Sequence, residues 1–197
     1  MNLNNFTFNT TSGIRFGSGM SVSSSQEICK ILGSNILFIT DKDLMSLKLT
    51  EPTLNELKKF SSKVEIFEDV EADPSLKTLL NSIEIGKKMK ATGVIGFGGG
   101  SSMDVAKLTS LILGSDENIE EVWGVSNAKG PRLPLVLVPT TAGTGSEVTP
   151  ISIITVGEEE KKGVSSPIIL PDVAILDPDL TIGLPAHTTA ATGIDAM

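Results

Sequence analysis

The alternation of predicted strands and helices constrains the fold of this chain most strongly. Residues 35–40 (NILFIT) and 93–97 (GVIGF) are short apolar runs of the kind that form buried strands, and a segment with helical spacing follows each. Residues 63–67 and 135–138 add two more predicted strands. Because strands that alternate with helices pair in parallel, the sequence predicts an α/β fold whose mostly parallel sheet is flanked by helices.

Two of the predicted helices have sequence signals at their starts. Pro52 opens a segment in which apolar residues recur at helical spacing, and proline is tolerated in the first turn of a helix. Residues 73–75 (DPS) predict a cap at Asp73 and a first-turn proline for the next helix. The predicted buried face of that helix is Leu76, Leu79, Leu80 and Ile83.

The second half of the chain predicts a β-hairpin excursion from the sheet. Residues 148–155 and 173–176 both have an extended pattern, and the polar turn 157–162 (GEEEKK) lies between them. A last helix is predicted to start near Thr188 and to run to Met197. No C-cap signal follows this helix, so we expect the natural polypeptide to continue beyond it.

The charge balance argues against several classes of partner. The formal net charge of −8 and the pI near 4.7 would repel a nucleic-acid backbone or an anionic membrane surface, so we expect neither partner. No apolar run approaches the ~20 residues that span a bilayer, and the N-terminal segment lacks the apolar core of a signal peptide. The sole cysteine, Cys29, cannot form an internal disulfide, which suits a cytoplasmic protein.

Residues 98–107 (GGGSSMDVAK), here called the glycine loop, lie where a predicted strand turns into a helix. Sheets of this class bind ligands at such positions, and bare glycines let a diphosphate approach the free amides of the helix start. Ser101 and Asp104 have the spacing of a capping box. A tight turn that needs glycine for steric reasons alone is the alternative. The loop matches neither the G-x-G-x-x-G fingerprint, because Ser101 replaces the third glycine, nor a P-loop, because no glycine precedes Lys107.

Residues 139–150 (PTTAGTGSEVTP), here called the threonine loop, follow another predicted strand. Their hydroxyls can donate to and accept from ribose and phosphate oxygens, and Gly143 and Gly145 let the backbone fold around a ligand. A solvated loop whose short side chains bond their own backbone is the alternative. Two such loops at strand ends in one sheet favour a shared ligand crevice.

Together the two loops resemble the nucleotide-loop signatures of the iron-containing (group III) alcohol dehydrogenases. Residues 176–197 (LDPDLTIGLP, later TAATGIDAM) resemble the segment that leads this family into its metal-binding helices. The resemblance spans essentially the whole chain. It implies a Rossmann-like dinucleotide-binding domain over residues 1–187, and over residues 188–197 the start of an all-helical metal-binding domain that is absent from this sequence.

The resemblance also implies roles for residues of both loops. Gly99, Gly100 and Ser101 would lie against the pyrophosphate of NAD, and Asp104 would support that loop. Four threonines would line the path of the cofactor to its nicotinamide: Thr140, Thr141, Thr144 and Thr149.

Two further positions match cofactor-binding residues of the family. Asp41 matches an acidic position that faces the adenosine ribose, where a carboxylate accepts from the 2′-hydroxyl and repels a 2′-phosphate, so NAD is favoured over NADP. From the residues alone, a helix N-cap or turn residue is the alternative for Asp41. Lys161 matches a lysine that reaches the cofactor, with neighbouring Lys162 or a plain surface lysine as the alternatives.

Asp195 matches the first ligand of the family's divalent metal, which one aspartate cannot identify as iron or zinc. The family's other ligands fall outside this sequence. His187 matches no ligand position and is predicted to be structural or solvent-facing, in the loop before the last helix.

The resemblance implies an NAD-dependent, metal-dependent alcohol dehydrogenase, which transfers a hydride between a small-molecule alcohol and its aldehyde or ketone. Without the helical domain, we expect these 197 residues to be inactive alone and to associate as a homodimer or larger homo-oligomer through exposed apolar surface. A glycerol dehydrogenase or dehydroquinate synthase-like enzyme of the same fold is one alternative, and a non-catalytic nucleotide-binding module is another.

Overall fold

The computed structural model describes residues 6–158 and 160–197. In these residues the strands are β1 (Ile14–Phe16), β2 (Asn35–Ile39), β3 (Lys63–Phe67), β4 (Gly93–Gly98), β5 (Gly124–Val125), β6 (Leu135–Pro139), β7 (Ile151–Val156), β8 (Glu160–Ser165) and β9 (Val173–Leu176). The helices are α1 (Met20–Ser23), α2 (Ser25–Leu32), α3 (Lys42–Ser46), α4 (Glu51–Phe60), α5 (Leu76–Met89), α6 (Gly100–Ser115), α7 (Ile119–Val122), α8 (Asp179–Ile182) and α9 (Ala186–Asp195). Short 3₁₀ turns cover Ser146–Val148 and Pro167–Ile169.

The described strands form two sheets, and the larger one confirms the predicted α/β fold. Six strands pair in the order β1-β9-β6-β4-β2-β3, and every neighbouring pair is parallel. The smaller sheet has the order β5-β8-β7, in which β7 and β8 form an antiparallel hairpin. The chain passes from β2 outward to β3 and then returns to place β4 on the other side of β2. The order of strands therefore reverses between β2 and β4, which is the topological switch point of the sheet.

Helices cover both faces of the large sheet, which explains why its central strands are apolar throughout. Alternate residues of a strand point to opposite faces, so Leu37 and Ile39 pack in a core with α5 and α6, whereas Ile36 and Phe38 pack in a second core with α2 and α4. The Phe38 ring stacks on Phe97 of β4 at a centroid distance of 5.4 Å. These two cores hold the ends of the strands, and the loops that follow them, in fixed positions.

The start of α5 differs from the sequence prediction. Its N-cap is Ser75, whose Oγ accepts a hydrogen bond from the Thr78 amide at 3.2 Å, and Pro74 precedes the cap. Asp73 does not cap this helix, because its backbone has a positive φ of 52° and lies outside it. Leu80 is also exposed rather than on the buried face. The capping prediction at Asp73 is therefore wrong by two residues.

The hairpin is confirmed, but its second strand is not the predicted one. The partner of β7 is the polar strand β8, whereas residues 173–176 form β9 in the large sheet, between β1 and β6. Val173, Ala174 and Ile175 are buried, as expected of an internal parallel strand. The last helix, α9, begins at Ala186, so His187 lies in its first turn and not in the preceding loop; the His187 side chain is exposed.

Among the described residues, no helix is both long enough and apolar enough to cross a lipid bilayer.

Candidate functional site

The carboxyl ends of β2, β4 and β6 bring the predicted binding segments together. Asp41 follows β2, the glycine loop follows β4, and the threonine loop follows β6. Parallel pairing sets Gly98 opposite Pro139, and the Thr140 amide donates to the Gly98 carbonyl at 3.0 Å. The two loops are therefore neighbours on one edge of the sheet, beside the switch point, which is where open α/β sheets place their ligands.

The glycines of the first loop allow the second loop to lie against it. A Cβ atom on Gly100 would lie 3.0 Å from Cγ2 of Thr144, whereas one on Gly99 would lie 3.7 Å from Oγ1 of Thr141. A methyl group on residue 100 would therefore be tight against the threonine loop, whereas one on residue 99 would make only an ordinary contact. The Oγ1 atom of Thr141 is buried and has no hydrogen-bond partner within the described protein. Such a hydroxyl is a candidate ligand contact, because buried polar groups are almost always paired.

Two adjoining cavities open between these segments. The larger has a volume of about 820 Å³ and is lined by the predicted cofactor-binding residues Asp41, Gly99, Gly100, Ser101, Thr140, Thr141 and Thr144. The smaller has a volume of about 460 Å³ and is lined by the predicted residues Gly100, Ser101, Asp104, Thr144, Thr149, Lys161 and Asp195. Gly100, Ser101 and Thr144 belong to both, so the cavities meet where the two loops touch. The fold thus gathers every candidate site residue around one cleft.

The helix that starts at the cleft has no side-chain cap. Gly99 is the N-cap of α6, and no side chain there accepts from the amides of the first turn. The predicted capping box of Ser101 and Asp104 is therefore not formed. Uncapped first-turn amides at the positive end of a 16-residue helix provide a place for an anionic group.

Asp41 caps a helix and also borders the cleft. It is the N-cap of α3, where its Oδ1 accepts from the Leu44 amide at 2.9 Å, and it also lines the larger cavity. Partial burial raises the pKa of Asp41 above its usual value, and the hydrogen bond from Leu44 opposes that effect. The cap fixes the direction of the carboxylate, so it is held in place beside the cleft before any ligand binds.

The two hairpin lysines differ in their surroundings. Lys161 lines the smaller cavity, and its Nζ bonds Oδ1 of Asp73 at 2.5 Å. The Nζ of Lys162 instead lies 3.9 Å from Glu120, away from the cleft. Lys161 is therefore the hairpin lysine that faces the cleft, and Asp73 holds it there.

A buried ion pair lies beneath the threonine loop, and the sequence analysis assigned a role to its aspartate, Asp104, but none to its lysine, Lys107. Lys107 of α6 is fully buried, and its Nζ lies 3.8 Å from Oδ1 of Asp104. Burial lowers the pKa of Lys107 to about 8, against the opposing charge of Asp104. Burial also raises the pKa of Asp104, although Lys107 and two hydrogen bonds act the other way. The lysine stays protonated at neutral pH, since three oxygens accept its three hydrogens.

The last helix closes one side of the cleft. His187, Thr188 and Thr192 of α9 line the larger cavity, although the sequence pattern assigned none of them to the site. A Cβ atom on Gly143 of the threonine loop would lie only 2.4 Å from the Thr192 carbonyl oxygen. Gly143 therefore lets α9 lie directly on the threonine loop.

Asp195 provides one carboxylate at the edge of the smaller cavity. It is exposed at the end of α9. The described residues contain no group of three or more His, Cys, Asp or Glu side chains that could hold a metal ion. A catalytic zinc site typically has three protein ligands, and Asp195 would be one of them.

The parallel sheet and its cleft first define a class: a Rossmann-like α/β protein with its cavities at the topological switch point. Comparison with known proteins then identifies the family. The profile of the iron-containing alcohol dehydrogenases matches residues 11–178, and the chain belongs to that family.

Individual relatives agree with this assignment. The chain is 34% identical to a sulfoacetaldehyde reductase of Bilophila wadsworthia (strain 3_1_6), over 98% of this chain and 50% of that protein. An alcohol dehydrogenase structure from Oenococcus oeni superposes with a TM-score of 0.91 and 34% identity, over 97% of this chain and 51% of that one. A sulfoacetaldehyde reductase from Bifidobacterium kashiwanohense, in complex with NAD+, gives a TM-score of 0.86 and 31% identity, over 98% and 51% of the two chains. The chain spans about half the length of the relatives that it matches.

Proposed function

We propose that residues 1–187 are the NAD-binding domain of an iron-type, NAD-dependent alcohol dehydrogenase, and that residues 188–197 begin its metal-binding helical domain. The observation that carries the proposal is the convergence of two features on the larger cavity. The uncapped start of α6 and the unpartnered hydroxyl of Thr141 both border it, so a charged, oxygen-rich ligand would find donors on two sides. A dinucleotide that extends along both cavities has this chemistry.

We place the adenosine end of NAD in the larger cavity, beside Asp41. A carboxylate there accepts from the 2′-hydroxyl of the ribose and repels a 2′-phosphate, which favours NAD over NADP. The pyrophosphate would lie against Gly99, Gly100 and Ser101, where the two cavities meet. The nicotinamide end would then enter the smaller cavity, which Thr149 and Lys161 line.

We propose that Asp195 contributes one ligand to a divalent metal ion, iron or zinc. When bound, such an ion polarises the oxygen of a small alcohol or aldehyde and so assists hydride transfer to or from the nicotinamide. The further ligands would come from sequence outside these 197 residues, since the described ones hold too few. We therefore expect no alcohol-dependent NAD reduction by these residues alone, and metal-dependent turnover by them would contradict the proposal.

Titration with NADH, followed by the fluorescence of the reduced cofactor, tests the binding site. We expect saturable binding by the wild type. The variant Gly99→Ala should fold normally, because the added methyl would make only ordinary contacts, the nearest at 3.7 Å, on a backbone with φ of −74°. The methyl would nevertheless separate the diphosphate from the helix amides. Since a hydrogen bond to a charged group contributes about 1.5–3 kcal/mol, affinity should fall at least about tenfold.

Gly163→Ala is the matched control. Its added methyl would also make only ordinary contacts, the nearest at 3.6 Å, and Gly163 lies outside both cavities. It should bind NADH as the wild type does. The proposal fails if the wild type shows no saturable binding, or if Gly99→Ala binds as tightly as the control.

A further inference from the structure

We propose that Asp104 and Lys107 are positioning residues, which set the distance between the two cofactor-binding loops by fixing the threonine loop and β7 to helix α6. The inference rests on the proposed NAD site and adds to it. Neither side chain needs to touch the cofactor to act in this way. Both lie within the first two turns of the helix whose uncapped start forms part of the cleft.

Lys107 holds the backbone at the end of the threonine loop. Its Nζ donates to Oγ of Ser146 at 2.8 Å, to the Thr149 carbonyl at 3.0 Å and to the Ile151 carbonyl at 2.7 Å. An ammonium group has three hydrogens, and all three are used. The bonds to Thr149 and Ile151 fix the backbone on both sides of Pro150, and Thr149 and Ile151 line the smaller cavity.

Asp104 forms hydrogen bonds with the same segment, residues 146–153. Its Oδ1 accepts from Oγ of Ser146 at 2.7 Å, and its Oδ2 accepts from the Ile153 amide at 2.9 Å. The Asp104 carbonyl also accepts from Oγ of Ser152 at 3.0 Å. The Ser146 hydroxyl therefore accepts from Lys107 and donates to Asp104, which joins the pair into one network. Residues 146–153 are attached to a single turn of a rigid helix.

Fold stability alone does not require a charged pair at this place. Taking two charges out of water is costly, and apolar side chains of similar volume at a buried site are often equally stable or more so. An apolar contact, however, does not fix the direction of a peptide group. Directed bonds to the Thr149 and Ile151 carbonyls and to the Ile153 amide do so, and they set the wall of the smaller cavity relative to Gly99 and Gly100.

The test separates positioning from a general loss of structure by comparing two ligands. AMP would occupy the larger cavity beside Asp41, whereas NADH needs both cavities in the correct relative position. In Lys107→Met, which keeps the length of the side chain and removes its three donors, we expect NADH to bind about tenfold more weakly and AMP to bind within about twofold of wild type. Both titrations are done at a temperature at which circular dichroism shows the variant to be fully folded.

Lys77→Met is the matched control, because Lys77 is an exposed residue of α5. It should leave both affinities unchanged. If Lys107→Met does not fold, Asp104→Asn decides by the same comparison, since it keeps the volume of the side chain while its amide cannot accept on both sides. Unchanged NADH affinity, or equal losses for AMP and NADH, would overturn the inference. A wild type that does not bind NADH would instead refute the proposed function.

Discussion

The packing of α6 against β4 allows a quantitative test of what holds the glycine loop in place. A Cβ atom added to Gly96 would lie 2.7 Å from Cβ of Ala106 and 2.8 Å from Cδ2 of Leu137. Carbon atoms attract at about 3.5–4.0 Å, so the helix would have to move outward by roughly 0.8 Å. Overpacking of this kind costs typically 1–3 kcal/mol, and we expect Gly96→Ala to lie near the upper end, at about 3 kcal/mol, because strand and helix backbones meet there.

The reverse substitution on the helix should compensate. Ala106→Gly alone should cost about 2 kcal/mol, of which about 1 comes from helix propensity and about 0.8 from the lost burial of a methyl group. In the double variant the methyl moves from the helix to the strand, and only the flexible end of Leu137 still has to rotate. We therefore expect the double variant to be about 2 kcal/mol more stable than the sum of the two single effects predicts.

Urea denaturation, followed by circular dichroism and by the fluorescence of Trp123, the sole tryptophan, measures all four free energies of unfolding. If the two single effects add to within about 0.5 kcal/mol, then the two methyl groups do not occupy the same space. In that case Gly96 is not needed for the close approach of α6 to β4.

Three further predictions concern titratable groups. Burial lowers the pKa of Lys107 to about 8, from an ordinary value of 10.5, so the unfolded chain binds that proton more tightly than the native protein does. The free energy of unfolding of the wild type, relative to that of Lys107→Met, should therefore rise by about 3 kcal/mol between pH 8 and pH 10.5. Urea titrations at these two pH values measure the difference. Burial alone would raise the pKa of Asp177, but hydrogen bonds led by those from Ser21 outweigh it and hold the pKa below its usual range. Asp177→Asn should cost about 2 kcal/mol at neutral pH. The difference from wild type should shrink as the pH falls below about 4, the ordinary pKa of aspartate in the unfolded chain, and through the lower pKa of the native carboxylate; a constant difference would be contrary to this assignment. Burial raises the pKa of the Cys29 thiol, so a thiol-specific reagent should label it at least about 100-fold more slowly in the native protein than in urea.

The parts of the fold that were predictable are those whose residues repeat a local pattern. The strands β2, β3, β4 and β6 were predicted from short patterned runs, and the core strands are apolar because helices cover both faces of the sheet. The strand β8 has the sequence EKKGVS, and its first three residues fall within the predicted polar turn 157–162. Val164 is its only residue in the apolar core, so hairpin geometry accounts for most of its pairing with β7. The capping errors at Asp73 and Ser101 have a similar origin, because the spacing of a cap can occur without its geometry.

The candidate site also has parts that could be predicted from the sequence and parts that could not. The two loops were predictable because each follows a buried strand, and parallel pairing brings the ends of such strands to one edge. The contacts that fix the loops could not be predicted from the sequence. Lys107 bonds the carbonyl of Ile151, 44 residues away along the chain, and Asp104 bonds the amide of Ile153, 49 residues away. Carbonyl and amide groups are present along the whole backbone. No pattern of residue types therefore marks the one that will form a hydrogen bond with a distant side chain.

In the proposed complex, the charges around the cleft leave the amides of α6 as the main source of attraction for the diphosphate. Lys42 lines the larger cavity but is paired with Asp69, and Lys161 lines the smaller cavity but is paired with Asp73. The whole chain also has a net charge of −8, which repels an anion at long range. Since the nearby cations are already neutralised by carboxylates, an anionic ligand gains its attraction from fixed dipoles at short range. Such dipoles act only where the backbone can be approached closely. The proposed binding of NAD therefore depends on a bare Gly99 and on a threonine loop that is fixed to the same helix.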